Sequence, residues 1–268
     1  MEQILITGLD GSGKSTIFAF LDELKRDYSL STIKLPHIQT ESIKEDVILK
    51  NASEFVNRIN EIADRRNQPV LKSVALFSSM LLCKKLVENQ VDITTKYIFC
   101  ERHPLIDTVV YATFYASQLK GSNSSENDFS ELDERYKNEL VTIINQIPDH
   151  ILSEKQYTIN TLVKFIYRYF FIEKKLDIDS QKELFGVNLP NKIFYLKADP
   201  EILMERLSGR KIFEAHESLA TLKMLDETYK IFFEKLSLKN HTLLNIIDAN
   251  SFESLNAFKA FIRIELER

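Results

Sequence analysis

The apolar run Ile4-Leu5-Ile6 leads directly into Gly8-Leu9-Asp10-Gly11-Ser12-Gly13-Lys14-Ser15, and a helical pattern begins at Lys14. This order of strand, glycine-rich turn and helix constrains the chain more than any other feature. Glycine lets backbone N–H groups curl inward, and the first amides of the following helix add partial positive charge at the same spot. Lys14 supplies a mobile cation, and the Ser15 hydroxyl, rather than that of Thr16, suits a magnesium ion. In this context the string reads as a polyphosphate cradle built from Gly8, Asp10, Gly11, Ser12, Gly13, Lys14, Ser15 and Thr16. A nucleoside triphosphate with Mg2+ is the expected ligand.

With 268 residues, the chain can form one large domain or a core carrying an inserted subdomain. A net charge of -4 gives no overall field for gathering nucleic acid, so an anionic substrate must be held by a few local arginines. Cys83 and Cys100 lack metal spacing and lie in apolar segments, which predicts buried thiols. The amino terminus enters a strand at once, and charge interrupts every long apolar stretch. No secretory signal and no membrane partner are expected, and the cytoplasm is the expected compartment.

Along the chain, strands are predicted at about 3–7, 31–35, 97–100, 192–197 and 242–247. Helices are predicted at about 14–26, with Ile17, Phe20, Leu21 and Leu24 on one face, and at 53–88 with a break at Pro69. Others follow at 105–119, across 159–171, after an Asp199 cap, at 219–236 and at 252–266. Phe77 and the aromatics of 159–171 read as core. The Ser- and Asn-rich stretch 121–128 reads as a flexible connection. Strands alternating with helices predict an α/β fold: a three-layer P-loop domain over 1–268 with a predominantly parallel sheet. A helical insert at about 121–189 would cover the substrate side of the cleft or form a subunit contact.

Several islands then resemble the thymidylate kinase branch of the P-loop nucleoside monophosphate kinases. They are the glycine-rich string from Gly8 to Thr16, Cys100-Glu101-Arg102-His103, the stretch from Leu196 to Arg210 and the final Ile246-Ile247-Asp248-Ala249. The insert lies outside the match. The resemblance implies ATP as donor, Mg2+ near Glu101 and Ser15, and Asp10 reaching the acceptor's sugar. It also implies Arg102 on the acceptor's phosphate, a lid at about 206–218 bearing Arg206 and Arg210, and a homodimer. Two departures stand out: His103 replaces the usual tyrosine, and the helix around Phe77 lacks the arginine expected beside thymine.

Chemically, Glu101 can anchor water around a hard cation and Arg102 can grip two phosphate oxygens. A local Glu101–Arg102 pairing is the structural alternative. Arg206 is open to two readings, a charge clamp or a partner of Glu201 and Glu205. Arg210 and Lys211 follow a glycine and suit a moving lid. His216 and Glu217 read as a solvated helix start. The leading expectation is ATP-dependent transfer to a nucleoside monophosphate, dTMP being one, with Lys14, Arg102, Arg206 and Arg210 as catalytic candidates. Two alternatives stay open. One is a deoxynucleoside kinase, although the second strand leads into Pro36-His37 and Glu41 is the nearest later candidate base. The other is a noncatalytic nucleotide-dependent switch with a protein partner.

Overall fold

The computed structural model describes residues 1–119, 128–209, 218–237 and 242–267. In chain order the elements begin β1 (Glu2–Thr7), α1 (Lys14–Leu24), β2 (Leu30–Ile33), α2 (Val47–Arg66), α3 (Pro69–Gln90), β3 (Tyr97–Cys100) and α4 (Asp107–Leu119). Then come α5 (Ser130–Arg135), α6 (Lys137–Ile144), α7 (Ile159–Ile166), α8 (Ile178–Phe185), β4 (Lys192–Lys197), α9 (Pro200–Ser208), α10 (Leu219–Ser237), β5 (Leu243–Asp248) and α11 (Phe252–Glu267). The chain divides into two compact units, one comprising 1–33, 91–102 and 189–268, the other 34–90 and 103–188.

The first unit holds a wholly parallel sheet in the order β2-β3-β1-β4-β5. Strand β4 shows why it is layered. Phe194 packs on Phe258 and Phe261 of α11, while its neighbour Tyr195 packs on Tyr229 and Phe233 of α10. Successive side chains leave a strand on opposite faces, so both faces of this one are covered by aromatic rings. From β1 the chain departs toward β2 and β3, whereas from β4 it departs toward β5. The connections therefore part at the carboxyl ends of β1 and β4, where open α/β sheets bind ligands.

Helix α1 buries Ile17, Phe18, Leu21 and Leu24. Phe18 thus takes the core place expected for Phe20, whose ring instead lies beneath the cationic heads of Lys259 and Arg263. At α9, Asp199 occupies the cap position and Pro200 the first turn, but the aspartate side chain makes no capping bond. Its own N–H donates to Asn250 Oδ1 at 2.7 Å.

The second unit is helical. Helix α2 begins earlier than the apolar periodicity indicates because Asp46 caps it, accepting from the Leu49 N–H at 2.8 Å. The predicted break appears as Asn67 in the left-handed region followed by Pro69 opening α3. The aromatic stretch after α7 is a π-helix over Tyr167–Ile172, visible in the bond from the Glu173 N–H to the Arg168 carbonyl. A wider helix brings residues five positions apart to the same side, unlike the spacing of three or four on an α-helix. Phe165 and Phe170 consequently both reach Phe77 of α3, one stacked at 5.6 Å and the other edge-on at 5.7 Å, and Phe185 of α8 adds a third ring at 6.0 Å. Phe77 is 4% exposed, a core residue as the sequence indicates. Cys83 and Cys100 are buried, as the sequence indicates. No described helix is long and apolar enough to cross a membrane.

Phe77→Ala removes the ring on which the three others converge and should cost about 3–5 kcal/mol in urea unfolding. A loss under about 1 kcal/mol would show that the cluster is not a packed core.

Candidate functional site: a phosphate loop with a shared carboxylate

The loop between β1 and α1 is held tightly to the elements around it. At Gly13 the backbone is left-handed, with φ of 96°, and a Cβ would lie 2.7 Å from Leu255 Cδ1 of α11. At Gly8 a Cβ would lie 2.5 Å from the Leu196 carbonyl oxygen on β4. Side chains are excluded at both places, so only glycine lets the loop seat here. No side chain caps α1, which leaves its first-turn N–H groups available to an anion. The hydroxyl of Ser12, fully buried in the loop, has no hydrogen-bond partner among the described residues. Phosphate oxygens supply the acceptors that such donors lack.

Lys14 lies inside this loop, 5% exposed. Its Nζ donates to the Gly8 carbonyl at 2.8 Å and the Leu9 carbonyl at 2.9 Å, and it lies 3.3 Å from Asp10 Oδ1. Burial lowers its pKa first of all. Asp10 opposes that shift, Arg102 adds to it through like-charge repulsion, and Glu101 also opposes it. The same oxygen of Asp10 receives a bond from Arg102 Nη2 at 3.1 Å. Arg102 projects from the carboxyl end of β3 and is 8% exposed. One carboxylate oxygen thus serves two buried cations that repel each other, and an entering anion would relieve that repulsion.

Glu101 is fixed by its backbone, whose N–H donates to the Ile33 carbonyl at 2.8 Å. Its carboxylate and the exposed Ser15 hydroxyl are hard oxygen donors of the kind Mg2+ takes. Among the described residues no group of His, Cys, Asp and Glu could hold a metal by itself. The donor set suits a cation that completes its shell with phosphate and water. Thr16 is half-buried beside Ser15 on the first turn of α1.

Arg206 sits on α9 and is directed at main chain. Its Nη1 donates to the Gly11 carbonyl at 3.1 Å and the Ala249 carbonyl at 2.9 Å, and Nη2 donates to the Asn250 carbonyl at 2.8 Å. These bonds, and the role of Asn250 in receiving the Asp199 N–H, have no signature in residue spacing. Arg210, Lys211, His216 and Glu217, and with them most of the expected lid at 206–218, lie outside the described residues, as does most of 121–128.

In the helical unit, His103 is fully buried. Its N–H donates to Asp107 Oδ2 at 2.7 Å, and its Nδ1 accepts from the Leu105 N–H at 3.2 Å. Two further main-chain bonds, from the Ile106 and Asp107 N–H groups to the His103 carbonyl, complete the turn that starts α4. The neutral ring therefore carries its hydrogen on Nε2. Burial pushes its pKa down to about 3, and only the backbone of Asn188 pulls the other way.

No family model matches this sequence, and no curated protein matches it. Among solved structures, the deoxyadenosine kinase of M. mycoides with products dCMP and a flexible dCDP aligns with 99% of this chain and 98% of its own. The identity is 15% and the TM-score 0.50. The same enzyme with bound dATP has 15% identity and a TM-score of 0.45, covering 98% of this chain and 100% of that one. Thymidylate kinase from Candida albicans has 14% identity and a TM-score of 0.48, covering 100% and 93%. At such identities the likeness shows the fold alone, a parallel α/β fold as the sequence predicts.

The buried imidazole gives a pH prediction. The unfolded chain protonates His103 near its ordinary value of 6.5, and the folded chain resists until about 3. This contribution to stability is full above about pH 6.5 and is lost on acidification through that window. His103→Asn keeps an acceptor for the Leu105 N–H without a titrating ring. Between about pH 6 and pH 5 the parent should lose roughly 1 kcal/mol more than the variant in chemical denaturation. Parallel losses would exclude His103 as the source.

Proposed function

We propose that this chain transfers the γ-phosphoryl group of ATP to a nucleoside monophosphate. The observation that carries the reading is the Asp10 carboxylate shared between Lys14 and Arg102. It sets a donor-side cation and a planar anion-binding fork against one loop. Lys14 would bind and neutralise the donor's phosphates together with the loop amides, and Arg102 would grip the acceptor's phosphate. Both cations would release Asp10 in part as phosphate oxygens replace its carboxylate. Ser15 and Glu101 would hold Mg2+, which would supply electrostatic stabilisation of the phosphates. Rate enhancement then comes from alignment and fixed charge rather than from a general base.

A phosphorylated acceptor fits better than a free hydroxyl. From Lys34 to Thr40, after β2, there is no carboxylate to deprotonate one, and Glu41 is exposed in a short 3-10 turn. Thymidylate in particular gains no support from Phe77, whose ring is enclosed by three others.

Initial rates with Mg-ATP across nucleoside monophosphates and the matching nucleosides should give product only with a monophosphate. Lys14→Ala and Arg102→Ala, each folded, should lower kcat/KM by about 10²–10³-fold. The Arg102 variant should leave the KM for ATP nearly unchanged. Phosphorylation of nucleosides alone, or steady ATP hydrolysis without an acceptor, would overturn the reading.

A further inference from the structure

The guanidinium of Arg206 takes no part in the proposed transfer. Its geometry is specific. Three donor bonds run to carbonyls on two separate loops: Gly11 in the phosphate loop, and Ala249 and Asn250 in the loop after β5. The ground between those loops is tightly built. A Cβ on Gly11 would lie 3.3 Å from the Leu203 carbonyl of α9, so the helix bearing Arg206 runs directly against the phosphate loop. The loop after β5 is fixed internally as well. Asp248 accepts from the Asn250 N–H at 3.0 Å and from the Ser254 hydroxyl at 2.8 Å, while Asn250 Oδ1 receives the Asp199 N–H. A guanidinium turned toward phosphate would leave three carbonyls without these partners.

We propose that Arg206 is a positioning residue that locks the phosphate loop to the loop after β5, and that this lock seats the sugar and base of a nucleoside triphosphate. The inference rests on the proposed donor. A γ-phosphate that is transferred must face Arg102, on the β3 side of β1. The rest of the nucleotide is then left to the β4 and β5 side, where the locked loops lie. Bare polyphosphate needs only the phosphate loop, whereas a nucleotide needs both loops in register. An ammonium on a flexible stem cannot reproduce a planar fork across three carbonyls, so lysine is not an equivalent.

The test is calorimetric binding of Mg-ATP and of Mg-tripolyphosphate to the full chain, with initial rates alongside. Arg206→Ala should weaken Mg-ATP about tenfold or more and tripolyphosphate by less than about threefold. KM for ATP should rise in parallel and by a larger factor than kcat falls, and Arg206→Lys should not restore it. Asn250→Ala removes the bond to the Asp199 N–H from the other side and should shift the same ratio in the same direction, which covers an Arg206 variant that fails to fold. A kcat loss of about 10²-fold restored by lysine would make Arg206 a charge clamp and overturn the proposal. Equal weakening of both ligands, or of neither, would overturn it too. A parent chain that binds no Mg-ATP would overturn the functional reading together with this one. A parent that binds, with variants that do not discriminate, would overturn the lock alone.

Discussion

An ammonium group buried in a loop of main chain is costly, because it leaves water and an apolar interior cannot replace its hydration. Here Lys14 meets that cost with two carbonyls of its own loop and one carboxylate oxygen. The arrangement works only if Gly8 and Leu9 turn their oxygens inward, which depends on the close seating of the loop against β4 and α11. Much of the sheet's construction serves that seat. The order β3-β1-β4 puts Arg102 on one side of the loop and α9 on the other. The aromatic layers on Phe194 and Tyr195 hold β4 between α11 and α10.

The shared Asp10 oxygen follows from the same constraint. A lone carboxylate beside Lys14 would neutralise it. With Arg102 on the same oxygen, Asp10 divides its charge between two cations, and neither is left in an apolar interior without a counter-charge. In the proposed reaction stability and function would thus draw on one group, Asp10, which makes the buried cations tolerable without phosphate. Its partners are the same two cations that phosphate would engage.

The fold was largely legible because it is written in local chemistry. Apolar strand runs, the glycine string and Pro69 each act over a few residues, whereas the order of the strands spans long connections, from Ile33 to Tyr97 and from Cys100 to Lys192, that no local pattern encodes. What escaped was set by tertiary contact. Phe18 and Phe20 are equally apolar in sequence, yet Phe18 is buried while the ring of Phe20 lies beneath Lys259 and Arg263. Asp199 has the right identity and position for a cap, yet Asn250 takes over its backbone N–H from 51 residues away. The π-helix had no periodic signal, since its spacing of five matches neither template of helix or strand.

In the candidate site the same division holds. Lys14, Ser15, Glu101 and Arg102 are nameable from spacing because a motif fixes them relative to a strand end. Arg206 is nameable only as a cation near a possible lid, because its targets are carbonyls, which every residue carries and no sequence pattern marks. Main-chain acceptors are invisible to reasoning from side-chain type. A guanidinium can therefore be read as catalytic from its charge when its bonds belong to loop geometry. The difference matters for mechanism. A charge placed on phosphate acts on the transition state, whereas one placed on two loops acts on the ground-state pose that precedes it, and the two separate in kcat against KM.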